Sequence, residues 1–345
     1  MRKTYKHQGG IGAVGTVVVF LIFCLLVLVS LVVISRIKNS RSVTQTTQDT
    51  TTQNQDSEVT LKGISLSPKS YEAEDFTNFL KTVNQNGSVL TWAGKWTDLQ
   101  SGVGAPFTIV KLGVNYEYTP IVITGSDSWN AGDQEAFVST VKDFASQYQP
   151  SYLGLGNEVN ILNEKSTEQY QLFIQFFNNA VSAVHQVSPD TKVFVVFQYE
   201  KLNGLKGGLF GGVSDESKND WRLLDDFSNA DIIAFTTYPY IIFNNPSDIP
   251  EDYYSRIRTH TNKPTAFTEL GWPSETVTTG YESTPQEQAD FITHFADLTR
   301  ELKAKFVIWP FLYDQNIQKP FDTDGLIDSA GNPKPALNVW RGISL

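Results

Sequence analysis

The 345-residue chain has one cysteine, four histidines and few basic residues beyond its first segment. A single cysteine excludes a disulfide framework within the chain and a zinc site built on thiolates. The histidines, His7, His185, His260 and His294, do not cluster in the sequence, so no metal and no other cofactor is expected. Six of the 27 Lys+Arg (Arg2, Lys3, Lys6, Arg36, Lys38 and Arg41) fall in residues 1–41, which hold no acid. That leaves 21 basic residues against all 37 acidic ones, a net of −16. A body of that sign lacks the clustered cations that phosphate contacts need, so no nucleic-acid partner is expected. The first predicted strand carries no GxGxxG, and neither GxxxxGK[ST] nor GxSxG occurs. The run Gly204–Gly212, GLKGGLFGG, is therefore no phosphate cradle; it reads as a mobile loop.

Charge is also absent from Ile11 to Ile34, 24 residues with only Thr16 and Ser30 polar. At 1.5 Å per residue this stretch spans a hydrocarbon core of about 30 Å. A cleaved signal peptide would have a shorter apolar run ending in small residues. This run passes directly into Ser35-Arg36, which favours an uncleaved signal-anchor, with Cys24 as a lipid-facing residue. Ser42–Val59, SVTQTTQDTTTQNQDSEV, is too poor in apolar side chains to offset chain entropy and reads as a flexible tether. The expected organisation is a short tail (1–10), a transmembrane anchor (11–34), a Thr/Gln-rich linker (35–59) and one globular domain (60–345).

From Thr60 onward, apolar runs alternate with helical patterns. Leu61–Leu66, Val89–Trp92, Pro120–Thr124, Tyr152–Gly156, Val193–Gln198, Asp231–Thr236, Pro264–Thr268 and Phe306–Trp309 are candidate strands. Continuous apolar runs suit parallel strands buried on both faces. Ser166-Thr167-Glu168-Gln169 is a capping-box pattern ahead of a helical stripe of Tyr170, Phe173, Ile174, Phe177, Val181 and Val184. Thr284-Pro285-Gln286-Glu287 repeats that logic before Phe291, Ile292, Phe295, Leu298 and Leu302. Eight strand–helix units in one domain predict an α/β fold, a (β/α)8 TIM barrel; an open doubly wound sheet is the alternative.

Such barrels build their sites at the C-terminal ends of the strands. Strand four ends GNEVN, placing Glu158, and strand seven ends TELGWPS, placing Glu269. Two carboxyls about 5–5.5 Å apart suit retaining glycoside hydrolysis, and about 6.5–9.5 Å suits inversion. One must be protonated to assist the leaving group and the other ionised, and their mutual repulsion helps divide those roles.

With these residues in place, the sequence resembles the retaining (β/α)8 glycoside hydrolases of clan A. Asn157-Glu158 matches the clan's strand-four pair and Glu269 its strand-seven glutamate. The resemblance implies that Glu158 is the acid/base, Glu269 the nucleophile and Asn157 a partner of the sugar 2-hydroxyl. GNEV, ELGWPS and Tyr238-Pro239-Tyr240 followed by Asn245-Pro246 are similar to segments of family 17, the β-1,3-glucanases and related transglycosylases. In that likeness Tyr238 hydrogen-bonds the nucleophile. Family 53, the β-1,4-galactanases, is similar at the same two glutamates, and the Trp309 end of strand eight resembles clan members other than family 17. The Arg often found after strand two in the clan has no counterpart; Trp92, Lys95 and Trp96 stand there.

Trp92, Trp129, Trp272 and Trp309 lie at or near strand ends and serve either to stack on sugar or to fill the core. Gln198 bonds either a sugar hydroxyl or its own loop, and Asp127 and Asp314 bind either hydroxyls or solvent. The expected function is a membrane-anchored retaining β-glycoside hydrolase acting on an oligo- or polysaccharide, a β-linked glucan or galactan. A glucan transglycosylase and a non-catalytic glycan-binding barrel are the alternatives. A polysaccharide hydrolase is useful outside the cell, so the expected location is a single-pass cell-membrane anchor with the domain extracytoplasmic.

Overall fold

The computed structural model describes residues 59–345. The anchor expected over 11–34 and nearly all of the 35–59 linker lie outside the described residues. Among the described residues no helix is long and apolar enough to cross a membrane.

All eight apolar runs form strands: β1 (Leu61–Ser65), β2 (Val89–Lys95), β3 (Thr119–Gly125), β4 (Tyr152–Leu155), β5 (Lys192–Gln198), β6 (Ile232–Thr237), β7 (Thr265–Leu270) and β8 (Phe306–Trp309). They pair in chain order into one closed barrel, and the ring shuts where Leu61 of β1 meets Phe306 of β8 in parallel. The open doubly wound sheet is thereby excluded.

Alternation along the strands divides the core in two. Val89, Ile121, Ile123, Phe194, Val196, Ile232, Ala234, Ala266, Phe306 and Ile308 fill the barrel interior. The intervening residues, such as Leu90, Trp92, Val122, Val195, Phe235, Phe267 and Trp309, face outward into the layer between strands and helices.

That layer is covered by α1 (Ala73–Asn86), α2 (Ala105–Tyr116), α3 (Gln134–Tyr148), α4 (Val159–Lys165), α5 (Thr167–Val187), α6 (Tyr199–Leu202), α7 (Ile257–His260), α8 (Pro285–Thr299) and α9 (Pro335–Gly342). The predicted caps form. Ser166 accepts from the Gln169 N–H to start α5, and Thr284 accepts from the Glu287 N–H to start α8. Along α5 the buried stripe is Tyr170, Phe173, Phe176, Phe177, Val181 and Val184, with Ile174 at its half-buried margin.

The crossovers after β5 and β6 depart from the expected strand–helix regularity. Each contains only a four-residue α-helix, α6 or α7, among 3-10 turns. Five glycines between 204 and 212, and Pro239, Pro246 and Pro250, oppose a continuous helix there. Aromatics supply the cover instead: Trp221, Phe227, Tyr253 and Tyr254 are buried against β5 and β6. The Gly204–Gly212 segment, expected to be mobile, is tied at several points. The Asp215 N–H donates to Gly204 O, the Gly212 N–H to Lys206 O and the Gly207 N–H to Ser214 Oγ. Gly208 adopts a positive φ against Ile241 O, where a Cβ would collide.

At the end of the chain Lys62 of β1 donates from Nζ to the carbonyls of Trp340, Arg341 and Ile343, capping the C-terminus of α9.

Candidate active site

Strand β4 ends at Leu155, and the chain then turns sharply through Gly156 (φ +87°) and Glu158 (φ +48°) into α4. No side chain fits at Gly156, because a Cβ there would lie 2.4 Å from the Phe173 ring. Glu158 is a non-glycine residue held in the left-handed region, a conformation that costs about 1–3 kcal/mol and persists where its surroundings impose it. Its side chain is buried at the mouth, and Thr236 of β6 donates to its Oε1 at 2.6 Å.

Glu269 reaches the mouth through a break in register. Phe235 of β6 pairs with Phe267 of β7, but the next residue, Thr236, pairs with Glu269. Thr268 is left over, its hydroxyl donating to Phe235 O at 3.3 Å. Without this bulge the alternation that sends Ala266 inward would send Glu269 outward. With it, Glu269 stands beside Thr236, two residues after the inward-facing Ala234. Tyr238 then donates to Glu269 Oε2 at 2.7 Å. Strand β6 and its end thus hold both glutamates: Thr236 binds one and Tyr238 the other.

Burial pushes the Glu158 carboxyl up to about 7, and the neighbouring charge of Glu269 adds to the rise, while the Thr236 hydrogen bond and Lys201 act against it. Glu269 is also raised by burial and drawn back by the Tyr238 hydroxyl. Glu269 keeps part of its surface open at the mouth. Both carboxyls are thus raised, Glu158 by its neighbour's charge as well as by burial, while Glu269 receives a hydroxyl donor that favours its charged form.

Asn157 lies between the two positive-φ residues, and its buried Oδ1 has no hydrogen-bond partner among the described residues. Gln198 is occupied by its own loop: its Oε1 accepts from the Lys201 N–H and its Nε2 donates to Glu200.

The tryptophans expected at the mouth are turned away from it. Trp92 faces outward on β2 and lies across Gly94, where a Cβ would meet its ring at 1.8 Å. Trp309 also faces outward and is fully buried, its Nε1 donating to Asp324 O and its ring against Phe291 and Trp340. Trp272 packs on Phe291 and donates to Ser283 Oγ, and Trp129 sits among Phe137, Phe173 and Phe176. The alternation places Trp92 and Trp309 in the core, and Trp272, beyond the end of β7, is buried there by its packing on Phe291. Asp127 pairs with Lys95 at 2.6 Å, and Asp314 with Lys334 at 2.5 Å.

His185 pairs with Asp231, His260 stacks on Trp221 and His294 lies against Ile249 O. Among the described residues no three His, Cys, Asp or Glu side chains are grouped so as to hold a metal.

Three contributors escaped sequence reasoning. Thr236 could have been found from its place near the end of an apolar strand. Glu200 is a third acidic residue at a strand end, two positions past Gln198. Asn160, two residues past Glu158, donates to Gln198 O and accepts from the Gln198 N–H.

The model of glycosyl hydrolase family 53 matches residues 134–309, just over half of the chain and inclusive of both glutamates. Of the two family likenesses in the sequence, the match falls on family 53. No curated protein matches the chain. Among solved structures, the exo-β-1,4-mannosidase Op5Man5 from Opitutaceae bacterium strain TAV5 is similar with TM-score 0.59 at 14% identity, covering 82% of this chain and 58% of that one. A family 39 glycoside hydrolase from Bacteroides cellulosilyticus WH2 has TM-score 0.58 at 14% identity over 81% of this chain and 62% of its own. The family 53 catalytic domain of Ignisphaera aggregans has TM-score 0.57 at 16% identity, with 82% of this chain and 96% of that domain covered. The chain therefore spans about three fifths of the first two, and at these identities the likeness concerns the fold.

Proposed function

The chain belongs to glycosyl hydrolase family 53, and on that premise we propose that it cleaves a β-linked oligo- or polysaccharide by double displacement, with Glu158 as acid/base and Glu269 as nucleophile. The observation that carries this reading is the bracketing of both carboxyls by Thr236 and Tyr238, two residues apart.

In the first step Glu158 gives its proton to the glycosidic oxygen as that bond breaks. Glu269 attacks the anomeric carbon and forms a glycosyl ester. In the second step Glu158, now ionised, takes a proton from water, whose oxygen displaces Glu269 from the sugar. Tyr238 fixes the attacking carboxylate, and the unpartnered Asn157 Oδ1 accepts from a sugar hydroxyl. A β-linked galactan or glucan is the proposed substrate class, and residues 11–34 are the proposed membrane anchor, with the domain outside the cell.

The test uses aryl β-galactosides and β-glucosides with leaving groups of different acidity. Glu269→Gln is expected to lower kcat on the order of 10⁴-fold. Glu158→Gln should lower kcat/KM far less for a dinitrophenyl than for a nitrophenyl leaving group, because the better leaving group needs no proton in the first step. The alkaline limb of wild-type kcat/KM should fall near pH 7, where Glu158 titrates. Wild-type turnover by Glu269→Gln would refute the assignment.

A further inference from the structure

One ionisable group near the pocket is left unused by this mechanism. Glu200 is completely buried at the start of α6. Its Oε2 accepts from Gln198 Nε2, and its Oε1 accepts from the Thr237 hydroxyl at 2.6 Å and from the Tyr253 hydroxyl at 3.1 Å. Burial raises the Glu200 carboxyl, and these donors, Thr237 foremost, act against that rise and suit its ionised, acceptor-only form.

Glu200 therefore sits among hydrogen bonds that tie the end of β5 to the end of β6 behind the pocket. Asn160, two residues along the chain from Glu158, clamps both backbone groups of Gln198. Gln198 donates to Glu200, Glu200 accepts from Thr237, and Tyr238, the residue after Thr237, holds Glu269 through its hydroxyl.

We propose that Glu200 is a positioning residue of the glycosidase: its charge locks the ends of β5 and β6 together and so sets the Tyr238 hydroxyl on Glu269 and the spacing of the two glutamates. This rests on the assignment of Glu158 and Glu269 above. The charged groups acting on Glu158 are Glu269, Glu200 and Lys201. Tyr199, Tyr238, Tyr240, Tyr253 and Tyr254 surround Glu200, all buried and raised well above the ordinary phenol range.

In Glu200→Gln an amide replaces one carboxylate oxygen, so a donor faces a donor in a site with no solvent to accept it. Displacing a reacting group by about 1 Å can cost about 100-fold in rate. In the full-length chain, assayed on a nitrophenyl β-galactoside or β-glucoside, whose departure needs the Glu158 proton, kcat should fall about 10- to 100-fold with KM changed less than about threefold. The alkaline limb of kcat/KM should move to lower pH, because Glu200 raises Glu158 through its charge. Glu200→Asp should recover part of kcat.

A folded Glu200→Gln chain with wild-type kcat and an unmoved alkaline limb would overturn the proposal. Should that variant fail to fold, Tyr253→Phe removes one donor from Glu200 farther from the pocket and should lower kcat several-fold; wild-type kcat and pH profile there would overturn it equally. Glu269→Gln run in parallel separates the two ideas. If it turns over normally, the assignment of the pair fails; if it is inactive while the Glu200 variants behave as wild type, only the role of Glu200 fails.

Discussion

The crossovers after β3 and β4 and those after β5 and β6 divide the work of the barrel. The first carry the long helices α3 and α5, which bury Phe137, Phe144, Phe173, Phe176 and Phe177. The second carry short helical turns, where Glu200 and Tyr253 meet Gln198 and Thr237 of the strand ends behind the pocket. Helical cover fixes the ring by apolar burial, which is non-directional. The irregular cover fixes atoms by hydrogen bonds, which are directional and can hold a carboxyl in one place. The same barrel thus has a side that governs whether it folds and a side that governs how well the pocket is set.

That division can be broken by substitution. Phe177→Ala in α5 should cost about 3–5 kcal/mol, read as a lower denaturation midpoint, while kcat per folded molecule stays at wild type. A matching loss of kcat would mean that the helical side also sets the pocket. Asp324→Asn tests a buried carboxyl outside both pairs of crossovers, after β8. Burial holds the Asp324 carboxyl well above its ordinary range, with Lys334 opposing only part of that rise, and neither oxygen has a partner among the described residues. A folded value above the unfolded one means that stability is lost as pH rises through the folded value. Asparagine removes that loss, so the variant's midpoint relative to wild type should climb as pH rises above the ordinary carboxylate range; a constant difference would contradict it. The smallest effect is expected of Thr236→Val, about 1 kcal/mol in stability. Because the Thr236 hydroxyl lowers Glu158, its removal should move the alkaline limb of kcat/KM upward, opposite to Glu200→Gln. A limb that stays in place would show that Thr236 is only structural.

The strands and the capped helices were legible because their signals are local: apolar runs, and a Ser or Thr three residues ahead of Gln or Glu. Glu158 and Glu269 were legible as acids interrupting apolar runs. The tryptophans misled because closeness to a strand end was weighed above the period of two. Trp92 is an odd number of residues from inward-facing Val89, and Trp309 from inward-facing Phe306, so both must face out. The slip at Thr268 has no sequence signal of its own, since it is a property of how β7 docks on β6. The network around Glu200 was hidden for a related reason: Asn160, the Gln198–Glu200 pair, Thr237 and Tyr253 come from separate stretches of sequence and meet only when the ring closes.

The lysine that caps the final helix has an architectural consequence. It binds the opening strand to the closing helix on the floor of the ring, about one strand length, some 15 Å, below the rim where the glutamates open. Entry and exit of the domain are neighbours, and both lie underneath. An extended polymer can therefore lie across the rim without meeting either end of the domain, and sequence could be added at either end without narrowing the approach from above.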